Sequence, residues 1–203
     1  MLYPAGGFAQ FPALWYYRAM QLHAKPKMTV DEFLAWAEEN PGRYELADGE
    51  VQAMAPQRLI HLEVKLAFHV ALLSAIKQAG LPCRVLPDGA TVRVSENTAY
   101  EPDALVYCGP EKPGSDIEVR DPLIVVEVLS PGTRYIDLAA KLEGYFKVPS
   151  VRHYLIADPE QRFIIHHARN EGDLIQTRIV RGGSIALNPP GLTLEFEACF
   201  RAQ

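Results

Sequence analysis

The chain has 203 residues, 48% of them hydrophobic and 22% charged, which is ordinary for a globular protein and enough for one α/β domain with a full core. Its formal net charge of −5 argues against a high-affinity, non-specific nucleic-acid binder, which carries a basic excess, but leaves room for an enzyme with a local basic groove. No uninterrupted apolar run nears the roughly 18 residues of a membrane span, and the N-terminus lacks a basic n-region and a small-residue cleavage site. The three scattered cysteines, Cys83, Cys108 and Cys199, read as free thiols in a reducing cytosol. A cytoplasmic protein with no membrane association is the expectation.

Residues 1–27 stand apart. They hold no acidic residue, prolines at 4, 12 and 26, and the aromatics Tyr3, Phe8, Phe11, Trp15, Tyr16 and Tyr17. They read as an appended, partly disordered arm with a short helix around 14–22, or as a segment that packs on a partner subunit. The domain proper is expected over 28–203. Thr29-Val30-Asp31-Glu32 has the pattern of a capping box, and the helix it opens stops before Pro41-Gly42. Asp48-Gly49, set between two alternating runs over 44–54, signals a hairpin with a type I′ turn. An amphipathic helix is expected over 60–79, with Gly80 as its stop.

Strands are expected at about 83–87, 90–95 and 104–107, then at 123–129, where Leu-Ile-Val-Val-Glu-Val-Leu reads as a central strand buried on both faces. A helix of about 134–147 follows and ends at Val148-Pro149. A further buried strand over 153–157 leads into an antiparallel meander (162–167, 174–180, 184–187) and a tail. The order implies an α/β fold: one mixed β-sheet flanked by helices, with an added N-terminal hairpin and helix and added C-terminal antiparallel strands.

Two acids fall in apolar strands. An ionised Glu127 inside its run costs roughly several kcal/mol unless a metal, a cation or hydrogen bonds compensate it. Asp103 follows Pro102 and opens Ala104-Leu105-Val106-Tyr107. If the two segments pair, their carboxylates converge and supply the hard oxygen ligands that Mg²⁺ prefers, and such an ion polarises a phosphodiester and lowers the pKa of a bound water. A phosphodiester site also needs a cation to orient the water or to stabilise growing negative charge. The position two after Glu127 is Leu129, so the nearest candidate is Lys141 on the following helix.

Pro102-Asp103, Glu127-Val128-Leu129-Ser130-Pro131, and Asp137 with Lys141-Leu142 and Tyr145 resemble the PD-(D/E)XK nuclease superfamily. More closely, they resemble its Uma-type restriction-endonuclease family, an abundant bacterial group. Tyr44-Glu45-Leu46 with Asp48-Gly49-Glu50, and Tyr154-Leu155-Ile156-Ala157-Asp158-Pro159, match the same family's recurrent signatures, so the resemblance covers roughly residues 28–197. It implies a restriction-endonuclease-like core with Asp103 and Glu127 as ligands of Mg²⁺ (Mn²⁺ as a substitute). It further implies Lys141 in place of the strand lysine, Glu45 as an additional acid near the metal, and DNA as the substrate. A homodimer is expected, because cutting both strands of a duplex suits two copies.

Each of these residues has a plainer reading. Asp103 can cap a turn after proline, and Glu127 can be a structural acid bonded to a tyrosine or arginine. Lys141 can form an exposed i,i+4 pair with Asp137, and Glu45 can sit on a solvated strand face. His61 opens the long helix and either faces the cleft or is a structural or exposed histidine. His166 and His167, adjacent in a strand, point to opposite faces and do not share one ion. Three functions compete: a Mg²⁺-dependent endonuclease, a catalytically silent nuclease-fold binding or assembly protein, and a metal-dependent hydrolase of a small phosphorylated substrate.

Overall fold

Asp48 and Gly49 take positive φ, 55° and 82°, and turn the chain between β1 (Tyr44–Ala47) and β2 (Glu50–Ala53), as an Asp-Gly hairpin requires. The computed structural model describes residues 27–130 and 135–200. The arm expected over residues 1–27 lies, but for Lys27, outside the described residues, and so does the Asp137 side-chain pair.

Helix α1 (Val30–Glu39) starts at the capping box: Thr29 Oγ1 accepts the Glu32 N–H at 3.3 Å and Glu32 Oε2 accepts the Thr29 N–H at 2.8 Å. It buries Val30 and Phe33 against Leu46 and Ala99. The hairpin pairs with β5 (Thr98–Tyr100), which pairs in turn with β4 (Val92–Ser95), giving a four-stranded sheet in the order β2-β1-β5-β4.

The central sheet has six strands in the order β10-β9-β8-β7-β6-β3. They are β3 (Cys83–Pro87), β6 (Ala104–Cys108), β7 (Ile124–Val128), β8 (His153–Asp158), β9 (Phe163–Arg169) and β10 (Ile175–Val180). Only β7 and β8 are parallel, because α3 (Tyr135–Lys147) lies between them in the chain and returns it to the same edge of the sheet. Period-two alternation splits the strands between two cores. Ala104, Val106, Ile124, Val126 and Val128 pack with α2 (Leu59–Ala79), whereas Leu105, Tyr107, Val125, Tyr154 and Ile156 pack with Tyr145 and Val148 at the α3 face.

Three expectations change. The single sheet is accompanied by the separate four-stranded sheet and by a hairpin of β11 (Ser184–Leu187) and β12 (Leu192–Glu195). The expected tail closes the core instead: a 3-10 helix, Phe196–Phe200, buries Phe196, Cys199 and Phe200 beside Phe68 of α2. Finally, α2 is not amphipathic. It buries Val64, Phe68 and Leu72 but also exposes Leu59, Leu62 and Leu66. By length and composition it is long and apolar enough to cross a membrane, which a search for an uninterrupted run misses, and half of that window is buried inside the fold.

The cysteines also depart from expectation. Cys83 and Cys108 form a disulfide, and only Cys199 is a free thiol. The two partners face each other in the β3–β6 register, a proximity that their separation of 25 residues hides in the sequence.

Candidate active site

Strand pairing brings the two acids together. β6 and β7 are antiparallel with Ala104 opposite Val126, so Asp103, just before β6, comes to the end of β7 that carries Glu127. Two bonds hold Asp103 in that place: its N–H donates to Val126 O at 2.9 Å, and the Val128 N–H donates to Asp103 Oδ2 at 2.6 Å. Glu127 shares the parity of Val125 and so lies on the α3 face. There Lys141 and Tyr145, one turn apart on the same side of the helix, both reach its Oε1, at 2.9 and 2.7 Å.

Lys141 also donates to Glu45 Oε1 at 2.8 Å, and that oxygen accepts the Glu101 N–H at 3.0 Å. Glu45 therefore points inward from β1, away from the solvated face. The Lys141 ammonium lies 5.4 Å from the centre of the Tyr100 ring. Gly144 allows this approach, because a Cβ there would meet Tyr100 Cε2 at 2.7 Å. Glu45, Asp103, Glu127, Lys141, Tyr100 and Tyr154 line one cavity of about 330 Å³.

A second set of charges, which sequence reasoning missed, stands behind Asp103. Lys65 of α2 pairs with Asp103 Oδ1 and lies 3.1 Å from Asp88 Oδ2. Arg43 lies 3.0 Å from the same Asp88 oxygen, and its Nε donates to Glu101 Oε1 at 2.8 Å. The side chains of Lys65 and Asp103 are only 8% and 6% exposed. The fold puts Lys65 on the buried stripe of α2, at the spacing of Phe68 and Leu72, where an unpaired ammonium is too costly to keep. His61 sits one turn before it and is 2% exposed. Neither of its ring nitrogens has a hydrogen-bond partner among the described residues.

Burial pushes the Glu127 carboxyl up to about 7. Lys141 and the Tyr145 hydroxyl pull it down, while the neighbouring charges of Asp103 and Glu45 push it further up. Burial acts to lower the Lys141 ammonium, but Glu127 and Glu45 outweigh it and hold the ammonium well above the ordinary lysine range. The tyrosines Tyr145 and Tyr154 are held far above the ordinary phenol range, chiefly by burial, so both remain neutral donors. Tyr145 spends its proton on Glu127. The Tyr154 hydroxyl has no partner among the described residues.

The donor set suits a hard divalent cation. The connected network holds five carboxylates (Glu45, Asp88, Glu101, Asp103, Glu127) against three cations (Arg43, Lys65, Lys141). With all five ionised it carries two unmatched negative charges, the charge of one such ion. Among the described residues no three His, Cys, Asp or Glu side chains are gathered as a ready-made metal cluster. Mg²⁺ does not require one, since it is usually held by one or two carboxylates and keeps several waters.

Among the described residues, His166 and His167 share no ion site. His166 faces His153 and Arg178, and His167 faces Tyr154 and Thr177 on the other side of β9.

Residues 30–201 match the Uma2 family, described as "Putative restriction endonuclease". An uncharacterized protein of Synechocystis, slr1290, is 25% identical over 178 residues, spanning 87% of this chain and 93% of its own. A crystal structure from Anabaena variabilis, described as "a putative nuclease belonging to DUF820", superposes with a TM-score of 0.68 at 16% identity, over 85% of this chain and 97% of that one. At that identity the likeness speaks for the fold, a nuclease-like α/β fold.

Proposed function

This chain belongs to the Uma2 family, and on that premise we propose that it is a Mg²⁺-dependent endonuclease that hydrolyses phosphodiester bonds of DNA. The observation that carries the reading is the convergence of Asp103 and Glu127 on one cavity where β6 and β7 meet, with an ammonium delivered to the Glu127 oxygen from α3. Restriction-endonuclease-like nucleases generally use divalent metals, and Asp103 and Glu127 would hold the ion here with water. When bound, such an ion polarises the phosphoryl oxygen and lowers the pKa of a coordinated water.

The remaining roles fall to the protein's own side chains. Tyr145 fixes the rotamer of Glu127 by donating to Oε1. Lys141, held between Glu45 and Glu127, presents its third proton to the cavity, where it stabilises negative charge growing on a phosphoryl oxygen. Glu45 keeps that ammonium from collapsing onto Glu127 alone. Tyr154 offers a neutral hydroxyl to a water or a phosphate oxygen.

Plasmid and linear DNA incubated with Mg²⁺ or Mn²⁺ test the reading. Wild type nicks and linearises the substrate, and Asp103→Ala and Glu127→Gln do not. Equal residual cleavage by wild type and Asp103→Ala would remove the assignment.

A second reading, a catalytically silent nuclease-fold binding protein, is favoured by one observation: lysines already engage both Asp103 and Glu127. Calorimetry with Mn²⁺ separates the two, since a silent protein takes up no ion that depends on Asp103.

A further inference from the structure

Asp103 has two carboxylate oxygens, and the fold has assigned both. Oδ2 is fixed by the Val128 N–H at 2.6 Å, a bond made by the strand that carries Glu127. Oδ1 faces the Lys65 ammonium. A cation that reaches Asp103 therefore meets Lys65, and two positive centres contend for one oxygen in a place shielded from water. At separations of a few ångströms in so dry a place, a divalent cation and an ammonium repel too strongly for both to hold the same oxygen unchanged.

The structure also offers Lys65 somewhere to go. Its Nζ already lies 3.1 Å from Asp88 Oδ2, so rotation about its own side-chain bonds transfers it without moving α2. Arg43 shares that Asp88 oxygen at 3.0 Å, but its Nε is bonded to Glu101 at 2.8 Å, so Arg43 keeps a partner when Lys65 takes more of Asp88. A buried lysine with one carboxylate to hold its charge needs no second, whereas this one has two, of which only Asp103 lines the cavity with Glu127.

We propose that Lys65 is a displaceable counter-ion of Asp103: it holds Oδ1, yields it to an incoming divalent cation and withdraws onto Asp88. This rests on the reading of Asp103 as a metal ligand. Lys65 is thus a positioning residue that sets the affinity of the metal position, and Asp88 is its receiver.

Calorimetric titration of the full chain with Mn²⁺ tests the proposal in four proteins: wild type, Lys65→Met, Asp88→Asn and the double variant. Removing the competing ammonium tightens Mn²⁺ binding about tenfold, equivalent to about 1.4 kcal/mol. Removing the receiver weakens binding about tenfold, because Lys65 then has no alternative to Asp103. In the double variant the Asp88→Asn effect disappears and binding is as tight as in Lys65→Met. A purely structural Lys65 produces no such reversal of sign.

If wild type binds Mn²⁺ and Lys65→Met leaves the affinity equal or weaker, the counter-ion role is overturned and the metal reading stands. If neither protein binds Mn²⁺, the metal reading falls and takes the proposal with it. Binding by Lys65→Met alone supports the proposal in its strongest form. Should Lys65→Met not fold, the NMR signal of the Lys65 ammonium in wild type replaces it. Displacement moves that signal during a Mg²⁺ titration at the midpoint given by calorimetry, and a signal that stays still overturns the role.

Discussion

Asp103 accepts the backbone N–H of Val128 at 2.6 Å, so the carboxylate that faces the cavity also closes the β6–β7 ladder where the strand ends. Site and sheet share that bond, and substitutions at Asp103 are read in both. Asp103→Ala leaves the Val128 N–H without an acceptor, at about 1–3 kcal/mol, and takes a partner from the buried Lys65. Asp103→Asn keeps an acceptor of the same size for Val128. Urea unfolding should therefore find the alanine variant about 3 kcal/mol less stable than wild type, with the asparagine variant between the two, while both lose cleavage. Equal stability of the two variants would show that the Val128 bond contributes nothing.

Glu127 should oppose stability where it is ionised. Its carboxyl is raised from the ordinary 4.5 to about 7, chiefly by burial, so between those values the folded protein binds a proton more firmly than the unfolded chain. The contribution of this group is accordingly greatest below about pH 4.5 and is lost as pH rises through 7. Glu127→Gln imitates the protonated acid at every pH. Relative to wild type it should gain roughly 2–3 kcal/mol between pH 5 and pH 8 while cleavage disappears. A difference between the two proteins that does not change with pH would refute the raised carboxyl.

Glu127, Asp103 and Lys141 were legible in the sequence for different reasons. An acid inside Ile124-Val125-Val126-Glu127-Val128 conflicts with its own strand, and such a conflict is visible without coordinates. The convergence with Asp103 needed only the assumption that neighbouring strands pair. Placing Lys141 required a family resemblance, because a helical lysine four residues after an aspartate looks like an ordinary surface pair. Lys65 was hidden by its setting: on a helix apolar on both sides, with Leu62 and Leu66 exposed, the periodicity does not say which face is buried. The Cys83–Cys108 bond was hidden by register, which composition does not carry, and the C-terminal 3-10 helix by its brevity.

The cysteines should count as one free thiol and one disulfide per chain. Cys199 is buried, and burial pushes its thiol up to about 12, so native protein should react with a thiol reagent slowly. Unfolding without reductant should expose one thiol, and unfolding with reductant three. Breaking the bond returns entropy to an unfolded loop of 25 residues, which the chain-entropy relation sets at roughly 3.5 kcal/mol, so Cys83→Ser/Cys108→Ser should unfold at lower urea. Three thiols in the unreduced, unfolded protein would contradict the bond.

The histidines His153 and His166 should stay neutral far below their ordinary range, and their tautomers follow from one fixed donor. Arg178 can only donate, so His166 Nδ1, 3.1 Å from its guanidinium, accepts. His166 then carries its proton on Nε2 and donates to His153 Nδ1 at 3.0 Å, and His153 donates from Nε2 to Pro189 O at 2.8 Å. Every nitrogen in this chain is used, and protonating either ring sets a donor against a donor. Burial, followed by the charge of His153 and then of Arg178, lowers His166 from 6.5 to about 3. Burial first, opposed by the Pro189 bond and helped by Arg152 and Arg178, lowers His153 to about 4. With both values depressed, the stability they confer is complete above the unfolded value of 6.5 and is lost as pH falls through 4 and then 3. Nitrogen NMR should find both rings as the Nε2–H tautomer, with no titration between pH 7 and pH 5. A ring that titrates near 6.5, or an Nδ1–H tautomer at either position, would break the chain of donors from Arg178 to Pro189.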